Sequence, residues 1–166
     1  MRYIGNKESM VEEIDSFIES RVESEESLTL FDAFCGTGAV SDRLKNKFNL
    51  VINDNLKWAT VYTAGRLYAS SCHFERLGFD PFAFLNQSDE KVQGFIYKNY
   101  APTESSRMYF TPENAARIDY FRKQIEEWHK NKLLSEAEYM LLLASLVESV
   151  SRVSNTCLLY TSPSPR

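Results

Sequence analysis

Cysteine and histidine are scarce in this 166-residue chain, and their scarcity excludes several chemistries at once. Cys35, Cys72 and Cys157 are odd in number, far apart and in no CxxC pair, so neither a disulfide framework nor a zinc site is expected. His73 and His129 add poor material for any other metal centre. No apolar run approaches the roughly 18 residues that a membrane span needs, and no secretory signal opens the sequence. The expected setting is therefore reduced and cytoplasmic, with no membrane and no metal as partners. Glycine and proline are also few, at six and five, and two prolines are nowhere adjacent.

What is present is globular: 43% hydrophobic and 25% charged residues, enough for one ordinary core or a core with a modest insertion. The net charge of −4 is unevenly spread. Residues 1–30 carry three basic and eight acidic side chains, whereas residues 91–132 carry eight basic and five acidic ones. A locally basic segment in an acidic protein can meet a phosphate backbone, or can simply be a solvated helical face.

The chain is organised around Leu28-Thr29-Leu30-Phe31-Asp32-Ala33-Phe34-Cys35-Gly36-Thr37-Gly38-Ala39-Val40. An apolar run ends in a carboxylate, reaches two glycines one residue apart, and then turns helix-like. This is the pattern of a strand, a tight turn and a helix N-terminus, where bare backbone approaches a ligand. Leu50-Val51-Ile52-Asn53-Asp54 reads as a second, buried strand that also ends in a carboxylate. Strand, turn, helix (38–47) and strand make a βαβ unit, which brings Asp32, Gly36, Gly38 and Asp54 to one sheet edge. A dinucleotide site uses a similar turn, but its fingerprint wants a third glycine where Ser41 stands. Asp32 would repel a pyrophosphate and suits the cationic amino end of S-adenosylmethionine, while Asp54 is placed to accept from both ribose hydroxyls. A purely structural turn stays open.

Around this core the spacing predicts an amphipathic helix from about Asn6–Glu8, with Met10, Val11, Ile14, Phe17, Ile18 and Val22 on its apolar stripe. A helix over 56–69 follows the second strand. Beyond Cys72 the strand pattern stops. A short helix around Pro81–Leu85 and an irregular, tyrosine-rich stretch over 95–110 are expected. A long helix then starts at Thr111-Pro112, with Ile118, Phe121, Ile125 and Trp128 inward. Ser135 and Glu138 make a capping box for a last helix over 136–153. Residues 158–166 continue no periodic pattern and are expected to form a disordered tail.

Arg-Tyr-Ile-Gly-Asn-Lys at 2–7, Phe-Asp-Ala-Phe-Cys-Gly-Thr-Gly-Ala-Val at 31–40 and Asn-Asp at 53–54 together resemble the Dam-like, alpha-group adenine-specific DNA N6-methyltransferases. The resemblance covers about 1–157. It implies an α/β, incomplete Rossmann-like S-adenosylmethionine-dependent methyltransferase fold with an inserted, mostly helical target-recognition region. Residues 1–75 would be the cofactor-binding part, 76–134 the recognition-like region and 135–157 a helix returning to the core. It also implies that Tyr3 and Lys7 reach the methionine end of the cofactor, where a packed aromatic and a solvated lysine are the bland alternatives. Asp32 would bind the donor amino group, Phe34, Gly36, Thr37 and Gly38 would shape the turn, and Asp54 would hold the ribose. Segments 94–100 and 107–115 resemble recognition sequences, so Lys98, Asn99, Arg107 and Asn114 are expected to meet duplex DNA, although such residues also serve as ordinary loop packing. A cognate restriction endonuclease is the implied functional partner.

The family's Asp/Asn-Pro-Pro-Tyr/Phe motif, which holds the flipped base, is absent from the sequence. Asp80-Pro81-Phe82 sits on no expected strand and is no substitute. No catalytic residue is therefore assigned. The expectation is a truncated or frame-broken copy, with 158–166 an unrelated tail and no turnover by this chain alone. A catalytically silent module that binds S-adenosylmethionine or DNA, or a Rossmann-type nucleotide binder, remains an alternative.

Overall fold

The structure, a computed structural model, describes residues 7–22 and 28–155. Tyr3, Cys157 and the tail 158–166 lie outside the described residues. In chain order a 3-10 turn at Glu8–Met10 leads into α1 (Val11–Glu19), followed by β1 (Thr29–Asp32), α2 (Ala39–Leu44), β2 (Asn49–Ile52) and α3 (Lys57–Tyr68). Then come α4 (Pro81–Gln87), α5 (Phe95–Tyr100), α6 (Pro112–Lys130) and α7 (Glu136–Val153). The chain divides into two compact units, 1–73 with 135–145 and 74–134 with 146–166.

In the first unit β1 and β2 pair in parallel, with Leu30 opposite Leu50 and Asp32 opposite Ile52. The pairing runs past the strand ends, because Asn53 donates its backbone N–H to Asp32 and Cys35 donates to Asn53. The second strand is not buried as its β-branched run predicts. Exposure alternates along both strands, leaving Phe31 62% and Val51 49% exposed while Leu30, Leu50 and Ile52 are half-buried. Alternation of this kind marks a sheet covered on one face. The helix expected over 38–47 is shorter, at six residues.

Helix α1 also departs from its apolar reading. Phe17 and Met10 are largely exposed, Val11, Ile14 and Ile18 are half-buried, and the buried residue is Asp15. Its carboxylate accepts from Arg43 Nε and from Lys47 Nζ, each at 2.7 Å, and Lys47 also pairs with Glu19. Charge thus joins α1 to α2 and the turn that follows it. A buried carboxylate between two cations is stable only while both remain. On the other side, Gly65 of α3 lies against the first half of α7. A Cβ at Gly65 would come within 2.4 Å of Ala144 Cβ and 2.7 Å of the Met140 carbonyl oxygen. The capping box that starts α7 is present: Glu138 accepts from the Ser135 N–H at 2.8 Å, and Ser135 Oγ accepts from the Glu138 N–H at 3.3 Å.

The second unit is helical, as expected. Asp80 caps α4 by accepting from the Phe82 and Ala83 N–H groups, and Thr111 caps α6 by accepting from the Asn114 N–H. Trp128 packs edge-on against Phe79 and Phe84, with ring centres 5.7 and 5.6 Å away. The stretch 95–110 is less irregular than its sequence suggests, since its first six residues form α5. Asp119 of α6 accepts from the Ile96 and Tyr97 N–H groups at 3.0 and 2.8 Å, so a residue more than twenty positions away anchors the start of that helix.

Two outcomes are expected. Gly65→Ala gains roughly 1 kcal/mol of helix propensity but forces the α3 and α7 backbones apart, so its midpoint in urea denaturation falls instead of rising. For Asp15, the Lys47 hydrogen bond first and the Arg43 hydrogen bond second hold the carboxyl below the ordinary aspartate range. The native state therefore binds a proton less readily than the unfolded chain. The stability from this carboxylate is complete above the unfolded value of about 4 and is lost as pH falls through the depressed folded value. Asp15→Asn should lower the melting temperature at neutral pH, and a pH series should show a shallower acid limb than the wild type.

Candidate functional site

The segment after β1 turns on Gly36 and Gly38, whose φ angles are +53° and +75°, in the left-handed region that glycine adopts without penalty. Gly38 donates its N–H to the Cys35 carbonyl at 2.7 Å and its own carbonyl accepts from Asp42, which starts α2. Three side chains hold this turn from outside. Asp54 Oδ2, just beyond β2, accepts from the Gly36 N–H at 2.9 Å, while Oδ1 accepts from Leu56 at 2.9 Å. Thr63 Oγ1 donates to the Gly36 carbonyl at 3.2 Å. Arg66 donates to the Thr37 carbonyl at 3.0 Å and to Asp42 at 2.8 Å. Ser41, fully buried in α2, donates from Oγ to Asp32 Oδ2 at 2.5 Å.

The structure therefore brings Asp32, Gly36, Thr37, Gly38 and Asp54 to one end of the paired strands. Thr37 and Gly38 are buried, Asp32, Gly36 and Asp54 are half-buried, and Phe34 is 84% exposed beside them. Lys7 is exposed, and its neighbour Glu8 lies 3.6 Å from Arg66. Tyr3 is outside the described residues. Thr63 and Arg66 carry no motif in the sequence. Their one signal is a three-residue spacing that places them on the same face of α3.

The electrostatics favour an ionised Asp54. The Leu56 N–H and then the Gly36 N–H hold the Asp54 carboxyl below its usual range. Both of its oxygens are engaged by backbone, yet each carboxylate oxygen offers more than one acceptor site, so hydroxyl groups of a ligand can still be received. Cys35 is buried at the base of the turn. Burial pushes its thiol up, and the charges of Asp32 and Asp54 push it the same way, so it stays protonated. Among the described residues no three His, Cys, Asp or Glu side chains cluster to hold a metal ion, and no helix is long and apolar enough to cross a membrane.

In the second unit Lys98 and Asn99 lie exposed on α5. Lys98 is 3.8 Å from Glu104, and the Asn99 side-chain amide donates to the Phe95 carbonyl at 2.9 Å. Arg107 is exposed, with its guanidinium 5.2 Å above the Tyr100 ring. Tyr100 in turn contacts Phe95 and Tyr109, at 5.9 and 5.8 Å between ring centres. Asn114 is half-buried in the first turn of α6.

Comparison with known proteins adds a family to this geometry. Residues 3–162 match the family model described as D12 class N6 adenine-specific DNA methyltransferase. Modification methylase LlaI of Lactococcus lactis subsp. lactis is 38% identical over 94% of this chain and 26% of its own length. Type II methyltransferase M.FokI of Planomicrobium okeanokoites is 31% identical over 93% and 25%, and Type II methyltransferase M.NlaIII of Neisseria lactamica is 32% identical over 96% and 48%. The chain thus spans between about a quarter and about half the length of these relatives. No solved structure matches it.

The glycine turn sets a stability test. A Cβ at Gly38 would meet Thr63 Cγ2 at 2.7 Å and Oγ1 at 2.8 Å, in a backbone conformation that costs an L-residue about 1–2 kcal/mol before any overlap. Gly38→Ala should lower the free energy of urea unfolding by at least that amount.

Proposed function

The chain belongs to the D12 class of N6 adenine-specific DNA methyltransferases, and from that membership we propose that its first unit is the S-adenosylmethionine-binding part of such an enzyme. The observation that carries the proposal is the glycine turn closed by Asp54, with Asp32 at the same strand end. The residues suit this cofactor. One acid faces a ligand's ammonium, the other faces a vicinal diol, and two glycines let the backbone come close. Asp32 takes the amino end, Asp54 takes the ribose, and Phe34, Gly36, Thr37 and Gly38 form the wall between them. Lys7, with Tyr3, completes the methionine end. When bound, the cofactor supplies the transferable methyl group, and this chain's residues orient it. Residues 1–75 make up this cofactor part, in a Rossmann-like sheet of which β1 and β2 are two members. The open face carrying Phe31 and Val51 supports reading the pair as part of a wider layered sheet.

Residues 76–134 form the region that meets duplex DNA; of the helix expected to return to the core over 135–157, only the part up to 145 belongs to the first unit, and the rest belongs to the second. Lys98 and Arg107 supply cations for phosphate, while Asn99 and Asn114 are amides able to read base edges. The reaction served is methyl transfer to adenine N6 in a specific duplex site. The relatives' names, modification methylase and Type II methyltransferase, support a restriction-modification setting with a cognate endonuclease as partner. The sequence holds no Pro-Pro-aromatic motif to receive the flipped adenine.

Calorimetric titration of the full chain with S-adenosylmethionine tests the proposal. Binding is expected at a single site, and Asp54→Ala should weaken it at least tenfold. A wild-type chain that takes up a nicotinamide dinucleotide and ignores S-adenosylmethionine overturns the reading. Incubated alone with duplex DNA and labelled donor, the chain should leave adenine unmethylated.

A further inference from the structure

The hydroxyl of Ser41 has one proton to give, and it gives it to Asp32 Oδ2 at 2.5 Å. Ser41 itself is completely buried, so no solvent competes for that bond. The contact spans nine residues, from the first turn of α2 back to the last residue of β1. A carboxylate at the end of a side chain rotates about two bonds. Pinning one oxygen to a buried donor sets the direction of the other and leaves Oδ1 to face a ligand. The same helix position is where a dinucleotide fingerprint carries its third glycine. A glycine there has no side chain to orient an acid, and a phosphate ligand would want none.

We infer that Ser41 is a positioning residue for the donor site: its buried hydroxyl orients the Asp32 carboxylate toward the ammonium of S-adenosylmethionine. The inference rests on the donor-binding reading of the glycine turn and goes beyond it by naming a residue that touches no ligand. Its signature is selectivity by ligand part. Asp32 serves only the amino-acid end, so losing Ser41 should harm a ligand that carries that end and spare one that does not. 5′-Methylthioadenosine retains the adenosine and the sulfur but lacks the amino-acid end, and it supplies the comparison.

The test measures both dissociation constants for the full wild-type chain and for Ser41→Ala, with far-UV circular dichroism and a melting curve alongside. A hydrogen bond to a charged group is worth enough that S-adenosylmethionine should bind roughly tenfold more weakly to Ser41→Ala. The constant for 5′-methylthioadenosine should stay within about twofold. In an Asp32→Asn background the Ser41→Ala change should add no further loss of donor affinity, because the two groups act through one contact. If Ser41→Ala does not fold, Ser41→Cys, with a weaker donor of similar shape, provides the same pair of measurements. Equal weakening of both ligands, or no weakening of either, overturns the role of Ser41 while leaving the donor site intact. A wild-type chain that binds 5′-methylthioadenosine but not S-adenosylmethionine overturns the donor reading itself, and the Ser41 inference with it.

Discussion

One carboxylate ties the two strands of the first unit into a site. Asp54 stands just past the end of β2 and accepts the Gly36 N–H from the turn that follows β1. That bond adds to the backbone bond from Cys35 to Asn53 in tying the turn to the second strand. With it, the loop is held to the neighbouring strand at the point where its backbone is most open. The remaining restraints converge on the same few residues: Thr63 on the Gly36 carbonyl, Arg66 on the Thr37 carbonyl, Ser41 on Asp32. Two helices and two strand ends therefore fix a turn that contributes little apolar surface of its own.

This arrangement gathers the restraints on the turn in one place. The left-handed backbone at Gly36 and Gly38 costs little because glycine occupies it, and the space beside Gly38 is already filled by Thr63. Asp54 is ionised for structural reasons before any ligand arrives, since backbone N–H groups hold it in its charged form. A site prepared in this way spends less of its binding energy on ordering itself.

Outside the turn, charge joins α1 to α2, and close backbone approach brings α3 against α7. The hydrophobic spacing of α1 is evident in the sequence, yet Phe17 lies in solvent under the Arg21 guanidinium and Asp15 is the residue buried. The sequence contained the partners, Arg43 and Lys47, but nothing local said that a carboxylate 28 and 32 residues earlier would bridge them. The same holds for α5, whose start depends on Asp119 in another helix.

Residue order alone was enough to determine the parts that depend on near neighbours. The two strands, the glycine turn, the cap at Thr111 and the Ser135–Glu138 box are all decided within a few positions, because turns and caps close over short stretches of chain. The acids at the strand ends were legible for the same reason: each follows its own apolar run. Tertiary structure decided what those residues do to one another. It made Asp54 a clasp on Gly36, drew Thr63 and Arg66 to the carbonyls of the turn, and turned Ser41 from the place of a missing glycine into the partner of Asp32. Hydrogen bonds between groups far apart in sequence exist only once the backbone has brought them within about 3 Å.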